Sequence, residues 1–135
     1  MTYLLDTDTC VFWLRGKPPV REHLQAVGPD AVAVSIVTLA ELRYGAECSD
    51  QVASNHSAID DFIAPLSIVD IDAETARAFG EIKAELRRSG ALIDDLDLLI
   101  AATVHAHDLI LVTNNQDHFS RVPGLRLDNW IQSEP

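Results

Sequence analysis

Residues 93–115, IDDLDLLIAATVHAHDLILVTNN, decide how the rest of the chain is read. Asp94, Asp95 and Asp97 put three carboxylates into four residues, and Leu96, Leu98, Leu99, Ile100, Ala101 and Ala102 follow at once. The segment is apolar on nearly every side down to Val104, the pattern of a helix buried between other elements rather than lying on a surface. Asp97 is therefore expected to start inside the fold or in a cleft. After His107 and Asp108, the run LILV has the length and β-branched character of a buried strand, and Thr113, Asn114 and Asn115 turn the chain behind it. The unit is a helix leading to a strand, with polar groups at the strand's carboxyl end.

The same grammar repeats on the N-terminal side. Tyr3, Leu4 and Leu5 begin a short strand that ends directly on Asp6, which has an N-cap as its structural explanation, with Thr7 and Asp8 as further possible caps for a helix through Cys10, Val11, Phe12, Trp13 and Leu14. Gly16 to Pro19 break the chain, a short amphipathic helix carries Val20, His23, Leu24 and Val27, and Gly28 and Pro29 stop it. A second strand reads at 31–34, AVAV. Ser35 or Thr38 can cap the helix that follows, and Thr38 with Glu41 has the spacing of a capping box, which alone gives Glu41 a structural explanation. A helix over 49–64 ends at Pro65, a third strand lies near 67–71, and Asp72 caps a helix from Ala73 to Arg88. VPGLRL, 122–127, reads as a last edge strand, and the tail from Ser133 is expected to fray.

Strands near 3–6, 31–34, 67–71 and 109–112 thus alternate with helices, which predicts an α/β fold with a parallel sheet covered on both faces. Periodicity gives no strand order. The 135 residues suit one domain over 1–135, able to bury roughly two-thirds of its unfolded surface. Apolar residues make up 47% and charged residues 23%, and no apolar run approaches the ~20 residues of a membrane span, so no membrane partner is expected. MTYLLDTDT carries no basic leader, and a cytoplasmic location is the expectation. Cys10 and Cys48 fit no zinc or redox spacing and read as two buried, small apolar side chains.

A formal charge of −11, with Lys17 and Lys83 as the lysines, argues against a non-specific polyanion binder. It does not argue against a nuclease, because carboxylates that collect a divalent cation carry excess negative charge until the cation supplies the positive charge that phosphate needs. Asp6 after a strand, Glu41 early in a helix and Asp97 at the head of a buried helix are such carboxylates. A buried carboxylate must take up a proton or meet a cation, and basic side chains nearby are few, Arg43 excepted. Mg²⁺ and Mn²⁺ take oxygen ligands, keep several waters and serve hydrolysis at phosphorus.

Other chemistries are poorly supplied. The chain has no G-x-S-x-G elbow, no phosphate-binding loop and no dinucleotide fingerprint. His105 and His107 are two apart and point to different sides of a helix, where they complement its dipole rather than share zinc. His118, in the polar turn after the fourth strand, is placed to touch a substrate. A phospho-acceptor module of the receiver type also gathers carboxylates at strand ends, but it needs a lysine near the end of a late strand, and neither Lys17 nor Lys83 is so placed.

LLDTD at 4–8, SIVTLAELRYG at 35–45, IDDLDLLIAA at 93–102, LVTNN at 111–115 and VPGLRLDNW at 122–130 together resemble the PIN-domain family, most of all toxin ribonucleases of the VapC type. The resemblance spans nearly the whole chain in order. It implies a PIN-like α/β/α sandwich with a central parallel sheet, Mg²⁺- or Mn²⁺-dependent endoribonuclease activity on structured RNA such as tRNA or rRNA, neutralisation by a cognate VapB-type antitoxin, and a homodimer. By position, Asp6 and Asp97 match the family's metal-binding aspartates and Glu41 the glutamate of its AEL motif. The fourth acidic position departs from the family: one common location holds Asn115 here, another holds His118, and Asp117 stands beside it. The expected catalytic set is Asp6, Glu41, Asp97 and Asp117, with Thr113, Asn115 and His118 toward substrate. The alternatives are an inactive PIN-like binding module or a DNA-directed nuclease, since recognition of the 2′-hydroxyl has no short motif.

Overall fold

Every strand is too short to stand alone, and at Asp6, Ser35 and Asp72 a polar side chain caps the helix that follows a strand. A computed structural model describes residues 1–131. It has strands β1 (Tyr3–Leu5), β2 (Val32–Ser35), β3 (Ser67–Val69), β4 (Ile110–Val112) and β5 (Leu127–Asp128). Helices α1 (Thr7–Leu14), α2 (Pro18–Val27), α3 (Ile36–Glu47), α4 (Val52–Ile63), α5 (Ala73–Arg88), α6 (Asp95–Ala106) and α7 (Gln116–Phe119) alternate with them, and a 3₁₀ turn at Pro29–Ala31 feeds β2. The strands form one parallel sheet in the order β3-β2-β1-β4-β5.

The period of two along the strands divides the core into two layers. Leu4, Ala33 and Leu111 face one way and pack with Ala78, Ile82 and Leu86 of α5 and with Leu98, Ala101 and Ala102 of α6. Leu5, Val34 and Val112 face the other way, against Cys10, Val20, Leu42, Ile59 and Phe62 from the first four helices. This is the expected sandwich, an open α/β sheet covered on both faces. Among the described residues no helix is long and apolar enough to cross a membrane.

β1 lies at the centre, with β2 on one side and β4 on the other: Leu5 is in register with Val34 and with Val112. The chain leaves β1 toward β2 and returns on the opposite side, so β1 ends at a topological switch point, the place in open α/β sheets where ligands bind. Helices α1, α3 and α7 follow their strands and α6 runs back toward the start of β4. Their N-termini therefore gather at one edge of the sheet, where the backbone N–H groups present partial positive charge.

Hydrogen-bond partners decide between the caps the sequence offers and shift some element ends. Ser35, rather than Thr38, caps α3, its Oγ accepting from the Thr38 N–H at 3.0 Å. Thr38 then lies inside the helix, fully buried, and no capping box with Glu41 forms. Asp6, rather than Thr7 or Asp8, caps α1. The last strand does not run over 122–127: Pro123 and Gly124, the latter at φ +76°, form a turn, and pairing starts at Leu127. The helix drawn over 49–64 begins at Val52, because the Ser49 hydroxyl donates back to the Ala46 carbonyl and holds a turn. Cys10 is buried as expected, but Cys48 is exposed, standing at the C-cap of α3 past its last buried turn. The tail from Ser133 lies outside the described residues.

α6 has the most to lose from a cavity, because Leu98 is completely enclosed between α5 and the sheet. Leu98→Ala is expected to cost about 3 kcal/mol. In urea the midpoint should fall with an unchanged slope; a loss under about 0.5 kcal/mol would show that α6 is not seated in the core.

Candidate active site at the carboxyl edge of the sheet

Asp6 is placed by the backbone before any functional demand acts on it. Its N–H bonds to the Val112 carbonyl at 3.0 Å, continuing the β1–β4 ladder by one residue. Its Oδ1 accepts the Thr9 N–H at 2.9 Å as the N-cap of α1. The Thr113 hydroxyl donates to the same carboxylate. With only 5% of its surface exposed, Asp6 is the one buried acidic residue among those described. Burial pushes its carboxyl above the ordinary range, while the Thr113 and Thr9 hydrogen bonds pull the other way and Asp8 adds repulsion.

Glu41 comes from the second turn of α3. Its Oε1 accepts the Thr7 hydroxyl at 2.7 Å, across 34 positions of sequence, and that hydroxyl also stands 3.2 Å from Thr38 Oγ1. Arg43 does not neutralise it: the guanidinium is engaged by Asp60 at 2.5 Å and by His56 on α4. Asp97 comes from the first turn of α6, half in the cleft. Burial raises its carboxyl, His118 opposes this, and Asp94, Glu41 and Asp6 push it further up. That mutual repulsion is the electrostatic signature of carboxylates brought together from remote segments.

His118 Nε2 lies 3.1 Å from Asp97 Oδ2. The pair is close but out of line, because Nε2 is buried and makes no hydrogen bond with any described residue. The contact is therefore electrostatic proximity rather than a directed bond.

The other residues expected at the site separate into three positions. Thr113 is fully buried, so its side chain faces Asp6 rather than a substrate: its Oγ1 donates to the carboxylate and accepts the Asn115 N–H at 2.9 Å. Asn115 is exposed and lines, with Asp8, Arg15 and Asn114, a cleft of about 400 Å³ beside α1. Asp117 is exposed on α7, and its backbone carbonyl, accepting the Ser120 hydroxyl at 3.0 Å, makes its hydrogen bond. It is His118, one residue on, that α7 turns onto Asp97. Thr7, read from sequence only as a cap, is the polar side chain that was missed; a hydroxyl between two acids in DTD was the available signal.

The donor set suits a hard divalent cation: oxygen atoms of carboxylates, with Asp94, Glu41 and Asp6 all repelling Asp97. Among the described residues no three His, Cys, Asp or Glu side chains close on one point. A cation of the Mg²⁺ type needs no such cage, since it binds through one or two carboxylates and keeps its waters.

The PIN domain family model matches residues 3–125. The chain belongs to the PIN-domain family. It is 37% identical over 131 residues to the tRNA(fMet)-specific endonuclease VapC of Salmonella typhimurium, covering 96% of this chain and 98% of that protein. It is 41% identical over 133 residues to ribonuclease VapC2 of Haemophilus influenzae, covering 97% and 99%. Among solved structures, DNA-bound VapBC from Salmonella typhimurium superposes with a TM-score of 0.92 at 37% identity, over 96% of this chain and 98% of that one. VapBC2 from Rickettsia felis bound to a promoter DNA fragment gives 0.89 at 38%, over 96% and 99%. In this PIN domain, β1, α3 and α6 are the elements that carry Asp6, Glu41 and Asp97 to the shared edge.

Because burial raises the Asp6 carboxyl in the folded chain, the fold favours the protonated form. That contribution is complete below the ordinary carboxylate value and is lost as pH rises through the raised one. Asp6→Asn keeps an oxygen for the Thr9 N–H and carries no charge. In EDTA it should melt above the parent at pH 7, with the gap closing as pH falls below the raised carboxyl value. Equal midpoints at pH 7 would show that Asp6 bears no desolvation penalty.

Proposed function

We propose that the chain is a metal-dependent endoribonuclease, the toxin of a toxin–antitoxin pair, that hydrolyses phosphodiester bonds in structured RNA of the tRNA class. The observation that carries this reading is that Glu41 and Asp6, from remote segments, stand near enough to Asp97 at the carboxyl edge of the sheet to repel it. Similarity over nearly the full length to a tRNA(fMet)-specific endonuclease and to VapC ribonucleases supports it.

Asp6 and Asp97 are the residues that would hold Mg²⁺ or Mn²⁺. Such an ion supplies a Lewis acid for the phosphoryl oxygens and an acidified water. Asp6 is suited to a fixed post, because Thr9, Thr113 and the strand ladder hold it from three directions. Glu41 is suited to orient the attacking water and to take its proton, and Thr7 fixes the carboxylate for that task through Oε1. Attack on phosphorus with departure of the 3′-oxygen leaves 5′-phosphate and 3′-hydroxyl ends. Arg15 and Asn115, along the cleft beside α1, are placed to meet the backbone of the RNA.

A VapB-type antitoxin is the expected partner, as the VapBC complexes among the structural relatives support. Tyr44, Ile71 and Leu96 stand exposed around a groove that also includes Thr7 and Glu41, so a partner seated on them would reach the carboxylates. A basic side chain from that partner would answer the same charge that a cation answers.

Purified chain incubated with total tRNA and rRNA, in Mn²⁺ or Mg²⁺ against EDTA and mapped at the ends, should give discrete metal-dependent cuts. Asp97→Asn should abolish them with its circular dichroism and melting transition preserved. Cuts that persist in the folded variant would remove Asp97 from the chemistry, and intact RNA under every metal condition would overturn the nuclease reading.

A further inference from the structure

α7 delivers an imidazole, not a carboxylate, to the acidic edge. The His118 ring is fixed from behind by an edge-on contact with Phe119, 5.6 Å between centroids at 79°, and Phe119 is itself in the core. The ring therefore presents Nε2 in a set direction. Nε2 is shut off from solvent, has no hydrogen-bond partner among the described residues, and stands 3.1 Å from Asp97 Oδ2 without the alignment of a bond.

A buried polar atom with no hydrogen-bond partner is an arrangement folded proteins avoid. An imidazole nitrogen and a carboxylate oxygen that face each other without a bond between them are two donor atoms of the types that divalent ions take. The spacing fits one. Two adjacent ligands of an octahedral ion, each at about 2.1 Å, are separated by about 3.0 Å.

Resting on the reading of this edge as a metal site, we infer that His118 Nε2 ligates the divalent ion together with Asp97, and that this nitrogen tilts the site toward transition ions such as Mn²⁺ over Mg²⁺. The chemistry is that of ligand type: imidazole suits first-row transition ions, whereas Mg²⁺ takes oxygen and parts reluctantly with its waters. A carboxylate on the same turn of α7 would leave an all-oxygen site without that bias.

The test uses the purified chain with Mn²⁺ alone and does not depend on RNA cleavage. Electron spin-echo spectroscopy of the Mn²⁺-loaded protein should show the nitrogen-14 modulation of a directly bound imidazole. His118→Gln should lose that modulation while still binding Mn²⁺. By calorimetry His118→Glu should lower the ratio of Mn²⁺ to Mg²⁺ affinity by at least roughly tenfold, the low end of what losing even an outer partner of a metal ligand costs. Stoichiometric Mn²⁺ without nitrogen modulation in the parent, or modulation retained in His118→Gln, would overturn the ligand role and leave the carboxylate site standing. No Mn²⁺ binding at all would overturn both.

Discussion

The Asp6 carboxylate, desolvated at the end of the central strand, is the constraint around which the rest is arranged. It is tied to the β4 backbone through its own N–H, to α1 through the Thr9 N–H and to the end of β4 again through the Thr113 hydroxyl. Those bonds fix its position without supplying a counter-charge. A second and a third carboxylate, Asp97 and Glu41, are then brought to the same edge, where Asp6 and Glu41 both repel Asp97. A fold that pays this electrostatic cost at one edge must recover stability elsewhere, and it does so in the two apolar layers on either face of the sheet. Strain of this kind at a site, offset by the scaffold, is the usual form of the conflict between stability and activity.

The layers also explain why the cluster can be assembled from segments so far apart. Parallel strands joined by helices place every strand's carboxyl end on the same edge, and helices that return to the sheet start there. Asp6 lies one residue past β1, Glu41 in the second turn after β2, and Asp97 in the first turn of the helix before β4. No long loop has to carry one of the three. Thr7 and Thr113 then convert approximate placement into fixed geometry, one for Glu41 and one for Asp6.

Much of this is written in local sequence. An apolar run that ends abruptly on an acid, LLD at the start of the chain or the DLDLLIAA run before β4, encodes both the element and the residue at its end, so β1, α6 and their aspartates were legible. The two-layer core followed from the same alternation. Strand order was not legible, because pairing partners such as Leu5 and Val112 are remote in sequence and periodicity carries no record of them. Glu41 was ambiguous for a different reason: the Thr38 spacing imitates a cap, and only the competing Ser35 cap and the Thr7 hydroxyl decide where its side chain goes. Thr113 looked available to a substrate because a threonine in a polar turn is normally exposed; its burial under β5 depends on its N–H meeting the Asp128 carbonyl at 2.8 Å. Cys48 was misplaced because a cysteine's preference for the interior says nothing about a helix end that has already left it.

The central claim is that these carboxylates are incomplete without a divalent cation, and thermal unfolding against metal concentration reaches it most directly. Starting from the EDTA-treated chain, the midpoint should climb steadily with Mn²⁺ or Mg²⁺. One site at a hundred times its Kd stabilises by about 2.7 kcal/mol, and Asp97→Asn should flatten that response. A midpoint that stays still from zero to millimolar metal in the parent chain would contradict the claim.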